Sequence, residues 1–260
     1  MESLDFHTSR ALLEWQMELG ADECIVDAPV DRYALPDRLA KPKAKQEEAK
    51  PHLTKGPVAL SERDAVAEAR AAAEGAVTLE DLKAAMQAFD LCDLKRGARK
   101  MVFSDGIAGA PVMIIGEAPG REEDRSGKPF VGAAGQLLDR MFDAIGMGRN
   151  NPAAPLYITN ILPWRPPHNR DPKPEEIAMM QPFLMRHIAL ADPKVLVVMG
   201  NWACQALLAK RGITRLRGQW TTAVDKPALP MFHPAYLLRN PPAKREAWAD
   251  LLSLRNAVDK

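Results

Sequence analysis

The chain of 260 residues has only three cysteines, Cys24, Cys92 and Cys204, too widely spaced for a disulfide framework or a CxxC metal clip. That usage points to a reducing cytoplasm. No apolar run approaches the roughly 18 to 20 residues that a membrane helix needs. The first twenty residues carry Glu2, Asp5, Glu14 and Glu18 where a secretory leader would have a basic start and a clean apolar stretch. Neither secretion nor membrane insertion is expected. A dinucleotide-binding GxGxxG, a phosphate loop GxxxxGK[ST] and internal repeats are also missing, which removes the commonest nucleotide-binding and solenoid readings. Strong net charge is lacking too, at +1, but it is uneven: residues 1–85 hold 11 basic against 17 acidic groups, and residues 86–260 hold 24 against 17. The basic part is compatible with a phosphate-rich partner without demanding one.

What is present is an ordinary globular composition, 47% hydrophobic and 27% charged. Three parts are expected. Residues 1–27 contain a short amphipathic helix, TSRALLEWQMEL, ended by Gly20. Residues 28–60 combine five prolines with the charge-dense KPKAKQEEAK and read as a flexible linker. Residues 61–260 form the main domain. It opens with two helices, at 62–74 and 79–89, capped by Ser61 with Asp64 and by Thr78 with Asp81. Beyond residue 98, the runs PVMIIG (111–116), LYITN (156–160), VLVVMG (195–200) and ALPMF (228–232) read as four buried strands. They alternate with helical periodicity at 133–146, 173–190 and 201–212. This order predicts an α/β fold of three layers, α/β/α, with a central, mainly parallel four-stranded sheet. Ligands gather at the carboxyl ends of such strands.

The segments at those ends carry the chemistry. Gly116, Pro119 and Gly120 in GEAPG make a sharp turn that leaves Glu117 and Glu123 near the first strand end. Phe130 lies in the glycine-bordered loop GKPFVGAAG, where an aromatic ring can stack on a flat ligand. Asn160 closes the second strand with an amide able to donate and accept side by side. His233 follows the fourth strand in HPAYLLRNPP, whose Leu237, Leu238 and Arg239 offer apolar wedges and a cation on one tight loop. Lys210, Arg211, Arg215 and Arg217 form a basic run, with no acid among residues 206–219.

The strings GEAPGREEDRSGKPFVGAAGQLLDRMF, YITNILPWRPPHNRDPKPEE and MFHPAYLLRNP resemble, in order, the motifs of family 4 uracil-DNA glycosylases, over residues from about Phe89 to Trp248. The resemblance implies a DNA repair enzyme that flips deoxyuridine out of the stack and hydrolyses its N-glycosidic bond, leaving an abasic site. By similarity, Phe130 stacks on uracil, Asn160 reads its polar edge, and Gly116 and Ala118 border the pocket. His233 bonds the carbonyl where negative charge develops, and Glu117 positions or activates water. Glu123 borders the pocket or assists. Ala118 stands where the best-known branch of the superfamily has an aspartate, so the general base stays open between Glu117 and Glu123. Leu237 or Leu238 fills the gap left by the flipped base, while Arg239, Arg215 and Arg217 hold phosphates. The partner implied is uracil-containing DNA, single- or double-stranded, bound by a monomer.

Family 4 members typically hold an iron–sulfur cluster on four cysteines. The aligned positions here are Phe89, Cys92, Trp164 and Met180. The expectation is no metal cofactor, with these side chains packed as a small apolar cluster beside a free Cys92 thiol. The competing reading is a module that binds uracil or damaged DNA with little turnover. Turnover is favoured because Glu117, Asn160 and His233 are all present, and because Gly127 to Gly132 runs on without the basic insertion of covalently trapping relatives.

Overall fold

The chain divides into two units, Met1–Gly56 and Pro57–Lys260. The computed structural model describes residues 62–258, all in the second unit. The expected helix at 8–19, the linker, the Ser61 cap and Cys24 lie outside the described residues.

Helix α1 (Glu62–Glu74) and α2 (Leu79–Ala88) match the two expected leading helices. Thr78 closes α2 with a reciprocal cap: its Oγ1 accepts from the Asp81 N–H at 3.1 Å, and Asp81 accepts from the Thr78 N–H at 2.9 Å. A short α3 (Leu94–Gly97) follows, then the two-residue strand β1 (Asp105–Gly106) and β2 (Val112–Gly116). Next come α4 (Arg121–Ser126), α5 (Ala133–Asp143), β3 (Leu156–Asn160) and the long α6 (Pro174–Ala191). The chain then builds β4 (Val195–Met199), α7 (Gly200–Leu208), α8 (Ile213–Leu216), β5 (Thr221–Ala223) and β6 (Lys226–Met231). It closes with α9 (Pro234–Arg239) and α10 (Lys244–Val258).

The sheet order is β1-β3-β2-β4-β6-β5. The four expected strands form its parallel centre, β3-β2-β4-β6, and a short antiparallel strand extends it at each edge. Strands β2, β3 and β4 are buried along their whole length, as parallel strands covered on both faces must be. Side chains alternate between two cores. Met113, Ile115, Leu196 and Val198 join the core that includes residues of α1, α2, α6 and α7, whereas Val112, Ile114, Val195 and Val197 face Leu138 and Phe142 of α5 and Leu251 and Leu254 of α10. Helix α6 packs against both α1 and α2, and its Arg186 donates from Nε and Nη2 to the Ala76 carbonyl at 2.8 and 2.6 Å. The leading helices are thus part of this unit. Among the described residues, no helix is long and apolar enough to cross a membrane.

Phe89, Cys92, Trp164 and Met180 are all buried in the larger core rather than forming a small separate cluster. The Phe89 ring meets Phe183, one turn along α6 from Met180, edge to face at 5.3 Å. Burial pushes the Cys92 thiol up to about 11, so it stays protonated at neutral pH. A large aromatic in such a site stabilises by its buried surface and its contacts. Trp164→Ala is therefore expected to lower the unfolding free energy by about 3–5 kcal/mol in urea titration; a loss below about 1 kcal/mol would mean that the region is held by something else.

Candidate active site

Parallel pairing sets the ends of β2, β3, β4 and β6 along one edge of the sheet, and a cavity of about 580 Å³ opens there. Glu117, Ala118, Glu123, Phe130, Asn160, His233 and Arg239 all line it. Gly116 closes β2 behind two of these lining residues: a Cβ on it would fall 2.4 Å from Asn160 Oδ1 and 2.5 Å from Phe130 Cζ. Only glycine lets the amide and the aromatic ring approach the strand end so closely.

Asn160 is buried, and its Oδ1 has no hydrogen-bond partner, the one such buried side-chain atom among the described residues. A buried acceptor left unpaired costs on the order of 1–3 kcal/mol. Here it borders a cavity, where a ligand N–H would relieve that cost. Phe130 packs into the wall with its ring 5.3 Å from the His233 imidazole. Its backbone is left-handed, φ 52°, a setting that costs a non-glycine residue on the order of 1–3 kcal/mol and is held only by its surroundings.

His233 departs from the expected loop. Pro234 at the first helical position starts α9, and His233 is the N-cap, its Nδ1 accepting from the Ala235 N–H at 3.2 Å. That bond leaves Nε2 to carry the proton of the neutral ring. Burial, reinforced by the Arg239 charge and opposed by Glu123, lowers His233 to about 4, so the imidazole is neutral at physiological pH. Glu117 moves the other way. Burial first, and then the negative charge of Asp171, raise it to about 7. Glu123 lines the cavity, but its carboxylate is already engaged: Oε2 accepts from Gly120 N–H at 3.0 Å and Oε1 from Val131 and Gly132 N–H at 2.9 Å each. It braces the loop instead of standing free beside Glu117.

Two of the residues expected at the DNA surface, Leu237 and Arg217, make contacts within the fold. Successive residues of a helix lie about 100° apart, so α9 buries Leu237 in the core and leaves Leu238 exposed. Arg217 pairs with the buried carboxylate of Asp250 on α10, through Nε at 2.8 Å and through Nη2, and donates to the Glu246 carbonyl. Through Nε and Nη2 it ties the end of α8 to α10. Arg215 and Arg239 are exposed, Arg239 at the cavity rim.

Three wall residues carry no motif signal strong enough to single them out. Asp171 follows Arg170, whose guanidinium forms a two-point ion pair with Glu176 of α6. Asn201 caps α8 through Oδ1, accepting from Gly212 and Ile213 N–H at 3.1 and 2.9 Å. Trp202 lies under the Arg211 guanidinium at 3.8 Å.

Residues 103–252 match the model of the uracil DNA glycosylase superfamily. The chain belongs to that superfamily. It is 36% identical to a type-4 uracil-DNA glycosylase of Archaeoglobus fulgidus over 194 residues, covering 70% of this chain and 94% of the relative. It is 35% identical to the Sulfurisphaera tokodaii type-4 enzyme over 188 residues, 68% of this chain and 84% of the relative. For the Thermotoga maritima type-4 enzyme the identity is 38% over 154 residues, covering 57% and 77%. The six-stranded α/β sheet agrees with membership.

The Glu117 environment has a thermodynamic signature. The folded protein keeps this proton up to about pH 7, whereas an unfolded chain releases it near 4.5. The native state is therefore favoured below 4.5 and loses that advantage as pH rises to about 7. Glu117→Gln, which cannot ionise, is expected to raise the unfolding free energy at pH 8 by on the order of 3 kcal/mol, with the gain vanishing toward pH 4.5. Denaturant titrations across that range measure it, and a gain independent of pH would show that Glu117 is not held against its charge.

Proposed function

We propose that this glycosylase superfamily member flips deoxyuridine out of DNA and releases uracil by hydrolysis of the N-glycosidic bond. The observation that carries the reading is the unpartnered Asn160 Oδ1 at the cavity wall. It would accept the uracil N3–H, while the same amide donates to O4; cytosine, with an acceptor at N3 and a donor at C4, mismatches both. The Phe130 ring stacks on the base, and Gly116 and Ala118 bound its edge. A water oxygen attacks C1′ as the C1′–N1 bond breaks. The bonding pair leaves with the base as a uracil anion, and Glu117 takes the water proton. The neutral His233 donates from Nε2 to O2, where the charge collects, without having to lose a charge first. Glu117 is the better base candidate because Glu123 is occupied by three amide donors. Leu238 supports the gap in the strand, and Arg239 and Arg215 bind phosphates.

The substrate is uracil-containing DNA, acted on by a monomer in the cytoplasm. We further propose that no iron–sulfur cluster is bound. The four aligned positions offer one thiol, buried and held protonated, and three carbon-rich side chains, a donor set unsuited to a cluster that needs several thiolates. The purified protein is expected to be colourless. Near-stoichiometric iron with visible thiolate-to-iron absorbance would overturn this.

Single-turnover release of uracil from single- and double-stranded oligonucleotides tests the main reading, and binding without release would reduce the protein to a recognition module. His233→Ala is expected to slow release at least about tenfold with DNA binding nearly kept, as loss of one donor to a developing anion does. The rate is expected to fall with acidification below about pH 7 as Glu117 is protonated. Asp171→Asn, which removes a nearby negative charge, moves that inflection to lower pH. An unmoved inflection would separate the profile from Glu117.

A further inference from the structure

Phe130 is an aromatic residue held in a backbone setting that favours glycine, so something must hold it there. The peptide unit that follows it is gripped at both ends. Its N–H, from Val131, donates to Glu123 Oε1 at 2.9 Å, and its carbonyl, on Phe130, accepts from Arg149 Nη2 at 2.8 Å. Arg149 lies in the loop between α5 and β3, with only about 10% of its side chain exposed. All three of its guanidinium nitrogens are engaged. Nη1 reaches the Pro129 carbonyl at 3.1 Å and Asp105 at 2.8 Å, while Nε and Nη2 reach Asp139 at 2.9 and 2.8 Å. The guanidinium thus ties the edge strand β1 and helix α5 to two successive carbonyls of the Phe130 loop. At the same carbonyl, the α5 backbone comes so close that a Cβ on Gly135 would lie 1.9 Å from the oxygen. Released from this grip, the Phe130–Val131 peptide has a cheaper right-handed or extended setting available, and the ring would leave its place against Gly116 and His233.

We propose that Arg149 is a positioning residue: it touches neither substrate nor reacting atoms, but with Glu123 it locks the left-handed Phe130 backbone and so fixes the ring over the base. Lysine cannot replace it, because a point charge with three donors does not reproduce a planar fork shared among four acceptor groups. This rests on the reading of Phe130 as the stacking surface for uracil.

The test is a double-mutant cycle read in two ways. In single-turnover excision of uracil, Arg149→Met is expected to lower the rate ten- to a hundredfold, the order that a misplacement of about 1 Å produces. In a Phe130→Ala background the same substitution is expected to change the rate less than about twofold, since there is no longer a ring to misplace. Arg149→Lys is expected to fail to restore the rate. Equal fold-losses in both backgrounds, or a folded Arg149→Met protein with wild-type rates, would overturn the proposal. Should Arg149→Met not fold, Asp139→Ala removes one partner of Arg149 at a half-exposed position and is expected to show the same background dependence at smaller size. The second readout needs no catalysis: ¹⁹F NMR of 4-fluorophenylalanine at position 130 is expected to shift and broaden on Arg149→Met, with the fluorines at other phenylalanines unmoved. An unchanged resonance at 130 overturns the proposal. Absence of uracil release by the wild-type protein would instead overturn the functional reading and leave the spectroscopic result to decide the positioning role.

Discussion

Parallel pairing of β3, β2, β4 and β6 is the constraint from which the rest follows. Parallel neighbours cannot be joined by a tight turn, so each connection crosses a face of the sheet, and helices come to cover both sides. The same pairing sets every carboxyl end on one edge, in register: Gly116 stands beside Asn160, and Met199 beside Met231. Residues more than a hundred positions apart in the chain therefore become neighbours without any contact chosen for the purpose. The apolar runs that pair as strands thus also build the row on which the cavity stands.

Within that row, burial shifts two titratable groups in opposite directions. A low-dielectric site resists charge of either sign, and so it lowers a histidine and raises a carboxylate. His233 becomes a neutral donor over the whole physiological range, and Glu117 sits near the point where it is ready to take a proton. Glu123 shows the contrasting arrangement. Three backbone N–H groups donate to it, so its oxygens are committed to holding the loop. Two carboxylates six residues apart in one motif thus have different work, and the difference lies in the donors around each.

The sequence carried the central strands because each is an unbroken apolar run, and it carried α5, α6 and α7 through periodicity and α1 and α2 through their cap residues. The edge strands escaped it for physical reasons. β1 has two residues, and the β5–β6 hairpin turns through Val224 and Asp225, both at positive φ, where an Asn-Gly or Asp-Gly pair would have signalled the turn. The cavity residues that close strands or sit in the glycine-marked loops were legible. The internal contacts of Leu237 and Arg217 were not legible, because a list of residue types does not say which way a short helix turns, nor that Asp250, thirty-three residues on, would pair with the arginine. Arg149 gave no signal at all. Its partners are two carbonyls and two aspartates brought together only by the tertiary fold.

The crowding around Gly116 bears on how this sequence is free to drift. Every missense change at that codon brings a Cβ into space already filled by the Asn160 amide and the Phe130 ring, and Phe130 has little freedom to retreat. Ala118, two residues on, borders the open cavity instead, so a larger side chain there takes room from the ligand and leaves the wall standing. A change at Ala118 thus alters the room inside the cavity, whereas a change at Gly116 must first displace the Asn160 amide or the Phe130 ring.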